Sequence, residues 1–260
     1  MRLGLFHKLA WVIFFLAGHT TILCAQDAGK PSIVFAASSL TDVLKEHATN
    51  WGKTSNSTKP RFSFGASATM ARQIEAGAPA HLFISANPKW SGHLKRQGLA
   101  QQLVTIASNQ LVLVAPSGTP PPVHFEPTQD HFTKLLKGGR LVLANPATAP
   151  AGEYALNFLQ QSGLWDTLNQ HIAYAQNVRQ ALRLTERGGL PAFVYNSDAK
   201  ANDAVNIVYV VPEGATAPIL YQAALLQNSN DTTAAFLNFL RSTDATPTWK
   251  KYGFGKIASN

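Results

Sequence analysis

Short apolar segments alternate with helical patterns along most of the chain. Segments typical of buried strands lie at 32–37, 62–64, 82–85, 110–114, 140–144, 172–175, 192–195, 207–211 and 219–226. Between most of them, apolar residues recur every three or four positions, as on one face of a helix. Strands that alternate with helices at this spacing predict an α/β fold with parallel-rich sheets and helices on both faces.

The junction at 62–77 contains a pattern that suits a small anion. Phe62 and Phe64 alternate with smaller residues, as a strand does, and residues 65–68 are too small-chained to pack a core. A helical pattern then continues until Gly77, which is typical of a helix end. The first amides of such a helix have no partner within it and lie at the positive end of its dipole. They therefore suit an anion without the help of a lysine or arginine.

Similar residues stand at the ends of four other predicted strands or at the helix starts that follow. Together with the serine of the first junction they are Ser39, Ser67, Ala151, Val178 and Tyr195. Ser39 with Asp42 three residues later is also a near capping box, so in isolation it would only cap its own helix. Repetition of the pattern favours a ligand site, because ligands of open α/β sheets bind at the carboxyl ends of strands.

A run rich in proline and glycine at 115–122 divides the chain. We interpret this run as the point where the chain leaves a first lobe and enters a second. The prediction is a first lobe of 26–113, a second lobe of 114–218 and a return to the first lobe over 219–260. Two sheets that are linked by two crossovers leave a ligand cleft between the lobes.

The N-terminal segment has the pattern of an export signal. Arg2 and Lys8 precede an almost wholly apolar run at 9–17, which is too short to span a bilayer permanently. We expect cleavage after Ala25, which removes Cys24, the only cysteine, and leaves a soluble mature chain without disulfides. The alternative, a lipid anchor on Cys24, lacks the small residues that normally precede such a cysteine.

The distribution of charge and the positions of the histidines argue against nucleic acid binding and against a histidine metal site. The net charge of +8 comes from basic and acidic side chains scattered along the chain, and no aromatic platform is flanked by lysine or arginine. We therefore expect no nucleic acid partner. His47, His93, His124 and His131 show no metal-ligand spacing, and we expect them on the surface or in loops.

Motifs spread over the mature chain are similar to those of a known family. They lie at 34–41, 67–80, 82–86, 150–155, 178–182, 194–199 and 251–254. In these segments the chain resembles the periplasmic molybdate-binding proteins of molybdate ABC transporters. The part at 72–80, with the strand that follows it, is the specific signature, and the other motifs are individually weak.

The resemblance implies a fold, a ligand and a set of contacts. The fold is the two-lobed periplasmic binding protein fold, each lobe a parallel-rich sheet flanked by helices, with no enzymatic activity and no cofactor. Such a protein, expected as a monomer in the periplasm, closes on molybdate or tungstate and hands it to an inner-membrane ABC permease. Two serines, an alanine amide, a valine amide and a tyrosine hydroxyl bind the oxyanion in that family. By motif they correspond to Ser39, Ser67, Ala151, Val178 and Tyr195.

The chain departs from the family pattern at several positions. Ala66 and Ala68 stand where serines commonly flank the ligand serine, His81 replaces a usual acidic residue, and Asn196 follows the tyrosine where glycine is common. The departures leave the choice among oxyanions open. A binding protein for another tetrahedral oxyanion, sulfate or phosphate, is therefore the nearest alternative.

A serine hydrolase is the enzymatic alternative. Ser67 lies on a strand-to-helix turn like the start of a nucleophile elbow, and Asp130 and His171 follow it in the hydrolase order. Thr69 stands where the second glycine of that motif belongs, which argues against this alternative.

Overall fold

The computed structural model describes residues 31–55, 58–119 and 125–255. The predicted export signal, its cleavage position and His124 lie outside these ranges. The strands are β1 Ile33–Ala37, β2 Arg61–Gly65, β3 Leu82–Ser85, β4 Ala100–Asn109, β5 Leu111–Pro116, β6 Leu141–Ala144, β7 Ile172–Ala175, β8 Ala192–Tyr195, β9 Val205–Val210 and β10 Ile219–Leu226. The helices are α1 Thr41–Thr54, α2 Ser67–Glu75, α3 Pro88–Arg96, α4 Gln129–Leu136, α5 Pro150–Gln161, α6 Trp165–Leu168, α7 Val178–Gly188, α8 Asn196–Lys200, α9 Asp231–Arg241 and α10 Thr246–Lys251. Within the described ranges, no helix combines the length and apolar character that a membrane span requires.

The strands form two five-stranded sheets with the same plan. In the first, ordered β2-β1-β3-β10-β4, strand β1 is parallel to β2 and β3, and β10 is antiparallel to both of its neighbours. In the second, ordered β7-β6-β8-β5-β9, strand β6 is parallel to β7 and β8, and β5 is antiparallel to both of its neighbours. The predicted two-lobed α/β fold with parallel-rich sheets is confirmed, with one reversed strand in each sheet.

The chain passes between the two sheets at two neighbouring points. Strand β4 ends at Asn109 in the first sheet, and β5 begins at Leu111 in the second. The return to the first sheet runs from Val210 to Ile219. The Val211 amide donates to the Leu111 carbonyl at 3.0 Å, so the two connections lie side by side.

The predicted lobe boundary between residues 113 and 114 is wrong. The sequence places the strand at 110–114 at the end of the first lobe, whereas β5 pairs with β8 and β9 in the second sheet. The proline- and glycine-rich run begins within β5, in the second sheet. The true crossing has no compositional signal, because Gln110 alone separates two strands.

Strand β3 packs against apolar residues on both of its faces. Leu82 and Ile84 join one large apolar cluster, whereas Phe83 packs with Met70 and Leu94, which lie on α2 and α3, in another. Each strand residue is completely buried. Burial of such a side chain contributes about 1.5–3 kcal/mol. This packing anchors β3, and Ala86, which directly follows it, contacts the candidate site residue Ser67.

His47 is a core residue and not the surface residue that the sequence predicts. It lies on the inner face of α1, and its ring is completely buried against Trp249 and Phe239, with centroid distances of 4.6 and 5.9 Å. Neither ring nitrogen has a hydrogen-bond partner among the residues that the structure describes. Burial lowers the pKa of His47 to about 4, against a small opposing effect of the Glu46 carboxylate.

Acid should destabilise the first lobe through His47. The pKa is lower in the folded than in the unfolded chain, so the neutral ring favours folding above pH 6.5, and this stability is lost as the pH falls from 6.5 towards 4. The expected total loss is about 3 kcal/mol, at 1.36 kcal/mol per unit of pKa shift. Urea unfolding of the wild type and of His47→Leu at pH 7 and pH 4.5 measures it.

The variant should lose much of the acid sensitivity that the wild type shows. His171→Leu removes an exposed histidine and is the matched control, which should keep the wild-type pH dependence. Equal pH dependence in the wild type and His47→Leu would contradict this account of the core.

Candidate functional site

The five predicted site residues line one small cavity between the lobes. Ser39 and Ser67 come from the first lobe, and Ala151, Val178 and Tyr195 come from the second. Each residue is at most 3% exposed. The cavity volume is about 10 Å³. This is far below the range of about 300–1,000 Å³ that is usual for pockets of larger organic ligands, so the cavity leaves room only for a small ligand.

Helix starts point at this cavity from both lobes. Helix α2 begins at Ser67, α5 begins at Pro150 directly before Ala151, and α7 begins at Val178. Ser39 lies in a single 3₁₀ turn between β1 and α1. The first amides of a helix have no partner within its own ladder, so these turns bring N–H groups and positive dipole ends to the same small volume.

Gly152 allows the first turn of α5 to lie against the end of β6. A Cβ atom at this position would lie 1.8 Å from the carbonyl oxygen of Ala144 and 2.6 Å from its carbonyl carbon. These are backbone atoms of a buried strand, so they have little freedom to move aside. The glycine thereby fixes where the amide of the preceding residue, Ala151, faces the cavity.

Ser38, Ser39, Ser67 and Tyr195 bring hydroxyl groups to the cavity, and those of the three proposed contact residues have different partners. Ser67 Oγ accepts a hydrogen bond from the amide of Ala86 at 3.1 Å. Ser39 Oγ lies 2.7 Å from the hydroxyl oxygen of Tyr221. The Tyr195 hydroxyl is buried and has no hydrogen-bond partner in the described part of the chain. An unpaired buried hydroxyl costs about 1–3 kcal/mol, so Tyr195 has an unused donor at this cavity.

No lysine, arginine, aspartate or glutamate side chain lines the described cavity. The nearest cation in sequence, Arg179, points into an ion-pair network between the lobes. Its Nη1 lies 2.7 Å from Asp42 Oδ2, and its Nε lies 2.8 Å from Asp198 Oδ1. Burial raises the pKa of Asp198 to about 6 although the Arg179 charge opposes the shift. The guanidinium charge is thus balanced outside the cavity.

The lobes are closed around the cavity. The Ala68 amide in α2 donates to the Thr148 carbonyl of the second lobe at 3.0 Å. Lys89 of α3 pairs with Glu153 of α5 at 2.8 Å. Together with the Arg179 network, these contacts bring the two halves of the site into one enclosed space.

Comparison with known proteins assigns this architecture to a family. Residues 33–255 match the family described as bacterial extracellular solute-binding protein. The chain belongs to this family. It is 40% identical to the molybdate-binding protein ModA of Escherichia coli (strain K12) over 88% of this chain and 90% of that protein.

Solved structures extend the comparison to the whole fold. The solute-binding protein is similar to the Azotobacter vinelandii periplasmic molybdate-binding protein, with a TM-score of 0.75 and 25% identity, over 88% of this chain and 100% of that chain. It also shares the fold of the sulfate-binding protein SubI from Mycobacterium tuberculosis H37Rv, with a TM-score of 0.73, 19% identity and 88% coverage of both chains. This second likeness shows the fold alone.

The hydrolase alternative is wrong. The family consists of solute-binding proteins. Asp130 lies on α4 and pairs with Lys134 at 2.6 Å, His171 is exposed, and neither lines the cavity that contains Ser67. The turn at Ser67 therefore presents a hydrogen-bonding group without the base that a nucleophilic serine needs.

Sequence reasoning missed the groups behind the two serines. Tyr221 lies on β10 and contacts Ser39, whereas Ala86 follows β3, donates to Ser67 and itself lines the cavity. The one available signal was a tyrosine within an otherwise largely apolar strand, and that signal also fits ordinary core packing.

Proposed function

We propose that this solute-binding protein captures molybdate between its lobes and delivers it to an ABC transporter permease. The observation that carries the proposal is a closed cavity whose described lining offers uncharged N–H and O–H groups and no charged side chain. The 40% identity to a molybdate-binding protein over most of the chain supports the same ligand. Ser39, Ser67, Ala151, Val178 and Tyr195 are the proposed contacts.

Neutral donors are sufficient only if the lobes enclose the anion. Four first turns contribute about 0.3–1 kcal/mol each through their dipoles, whereas micromolar binding requires about 8 kcal/mol. Charge-assisted hydrogen bonds contribute about 1.5–3 kcal/mol each when water is excluded. The closed lobes meet this condition, because every proposed contact residue is almost fully buried.

The same arrangement favours large tetrahedral oxyanions. Molybdate and tungstate have nearly the same size, so we propose that both bind. Sulfate has shorter bonds and is therefore smaller. If the donors of the two lobes are held rigidly, sulfate cannot reach the donors on both sides at once. Hydrogen phosphate carries a proton that needs an acceptor, and no carboxylate lines the described cavity to take it.

Calorimetric titration of the mature protein with each oxyanion tests the proposal. Molybdate and tungstate should bind one per chain with comparable dissociation constants, and sulfate and phosphate should bind at least about 100-fold more weakly, a difference of about 2.7 kcal/mol. Sulfate binding as tight as molybdate binding would refute the assignment and favour the alternative oxyanion.

Location and partners follow from the same proposal. We propose that the mature chain begins after Ala25, acts in the periplasm as a monomer, and meets an inner-membrane permease there. The family of extracellular solute-binding proteins supports a site of action outside the cytoplasm.

A further inference from the structure

A hydrogen-bonded chain connects Ser39 to the crossing between the lobes. The Ser39 hydroxyl oxygen lies 2.7 Å from Tyr221 Oη, and Asn109 Nδ2 donates to that same Tyr221 oxygen at 3.4 Å. Asn109 is the last residue of β4, where the chain leaves the first sheet. Tyr221 is completely buried and does not line the cavity, so its hydroxyl acts only through its neighbours.

The orientation of the Asn109 amide follows from its other contacts. Its Oδ1 accepts from the backbone amides of Gln110 at 2.9 Å and Ser197 at 3.4 Å. A backbone N–H only donates, so the oxygen must face these groups. The Nδ2 side then faces Tyr221 and the Ser197 hydroxyl, where Nδ2 donates at 2.8 Å. Asn109 is therefore a donor to Tyr221.

This orientation sets the direction of the next hydrogen bond. Because Tyr221 Oη already accepts from Asn109, its own proton needs an acceptor. In the described part of the chain, the acceptor that it contacts is Ser39 Oγ. Burial raises the pKa of Tyr221 well above its ordinary value, so the phenol keeps that proton at neutral pH. Tyr221 thus donates to Ser39, and the Ser39 proton is free for the cavity.

Ser67 also accepts a hydrogen bond from the protein, in this case from a backbone amide. The Ala86 amide donates to Ser67 Oγ at 3.1 Å, and a backbone amide cannot reverse its role. Both serines therefore receive one hydrogen bond from the protein behind them and have their own protons left for the ligand.

We propose that Tyr221, oriented by Asn109, is a positioning residue that makes Ser39 a hydrogen-bond donor towards the bound oxyanion. The inference rests on the proposed function and adds the reason why Ser39 directs its proton to the ligand. A serine without such a partner can donate its proton to a neighbouring protein group instead. Because Ser39 accepts from Tyr221, its own proton is left for the cavity.

A double-mutant cycle separates this role from a structural one. Tyr221→Phe, Ser39→Ala and the double variant are titrated with molybdate by calorimetry, and Tyr221→Phe is repeated in a Ser67→Ala background. Tyr221→Phe alone should weaken binding about tenfold. The same change should have an effect of less than about twofold in the Ser39→Ala background, and the full effect should return in the Ser67→Ala background.

The matched control is Tyr154→Phe, which removes another buried tyrosine hydroxyl, one that donates to the Pro218 carbonyl. It should leave molybdate affinity within about twofold of wild type. Thermal unfolding of every variant without ligand shows whether it is folded.

Equal effects of Tyr221→Phe in all three backgrounds would overturn the inference, because a general loss of packing does not depend on Ser39. No effect of Tyr221→Phe in the wild-type background would overturn it as well. Failure of the wild type to bind molybdate would instead refute the proposed function. The cycle is then measured with sulfate, and coupling to Ser39 alone would still support the positioning role.

Discussion

Gly152→Ala is expected to raise the dissociation constant for molybdate at least about 100-fold, which corresponds to losing one charge-assisted hydrogen bond of about 2.7 kcal/mol. The added methyl carbon would lie 1.8 Å from the Ala144 carbonyl oxygen. Neither backbone can accommodate it, so the first turn of α5 must move away from β6 and carry the Ala151 amide out of position. Calorimetry with molybdate measures the effect.

Gly152→Ala should also lower the stability of the ligand-free protein, but this loss alone does not account for the weaker binding of molybdate. Overpacking of a tight site costs about 1–3 kcal/mol, so thermal unfolding without ligand should remain cooperative at a lower midpoint. Gly188→Ala is the control, because a Cβ atom at the end of α7 would meet nothing within 4 Å. Wild-type affinity in a folded Gly152→Ala protein would show that the Ala151 amide is not a ligand contact.

Tyr195→Phe should change binding and stability in opposite directions. The variant removes a hydroxyl that has no hydrogen-bond partner among the described residues. Molybdate binding should weaken about 10- to 100-fold, because a charge-assisted hydrogen bond contributes about 1.5–3 kcal/mol. The ligand-free protein should become more stable, with a midpoint about 2–4 °C higher, since an unsatisfied buried polar group is gone.

Tyr154→Phe provides the contrast for this experiment. Its hydroxyl donates to the Pro218 carbonyl, so the variant should lose stability and keep its affinity. If Tyr195→Phe lowers the unfolding midpoint of the ligand-free protein and leaves binding unchanged, the hydroxyl is structural and the proposed site is incorrect.

Local sequence was enough to locate the candidate site. Each proposed contact residue lies where a strand ends or a helix starts, and such a junction is defined by a few consecutive residues. Ser67 and Val178 follow this rule, since each is the first residue of its helix. The fold class followed from the same alternation of strands and helices.

The sequence did not predict β4 and α4, in which apolar and polar residues do not follow a clear period. β4 carries the exposed Gln101 and Gln102 within an edge strand of the first sheet, so its apolar alternation is interrupted. α4 buries only Phe132 and Leu136 on its inner face, which gives too few periodic positions for a firm prediction. In both cases the conformation depends on packing against other elements of the fold, which the local sequence does not show.

Contacts between distant parts of the chain were beyond the reach of sequence reasoning. Tyr221 and Ser39 are 182 positions apart, and no local pattern connects them. His47 was similarly predicted on the surface, because the aromatic rings that bury it come from α9 and α10 near the other end of the chain.

The paired crossings between the sheets determine how a bound ion would leave. Two neighbouring connections join the lobes. The movement that both connections allow is a rotation of one lobe relative to the other about a line through the two crossings. Ser39 is joined to Asn109, which lies at that line, through the Tyr221 hydroxyl. The contact of Ala68 with Thr148 is not anchored to that line and parts when the halves swing open. In such a swing, contacts at the far rim part before those beside the crossings, so Ser39 is the last of the proposed contact residues to release the proposed ligand.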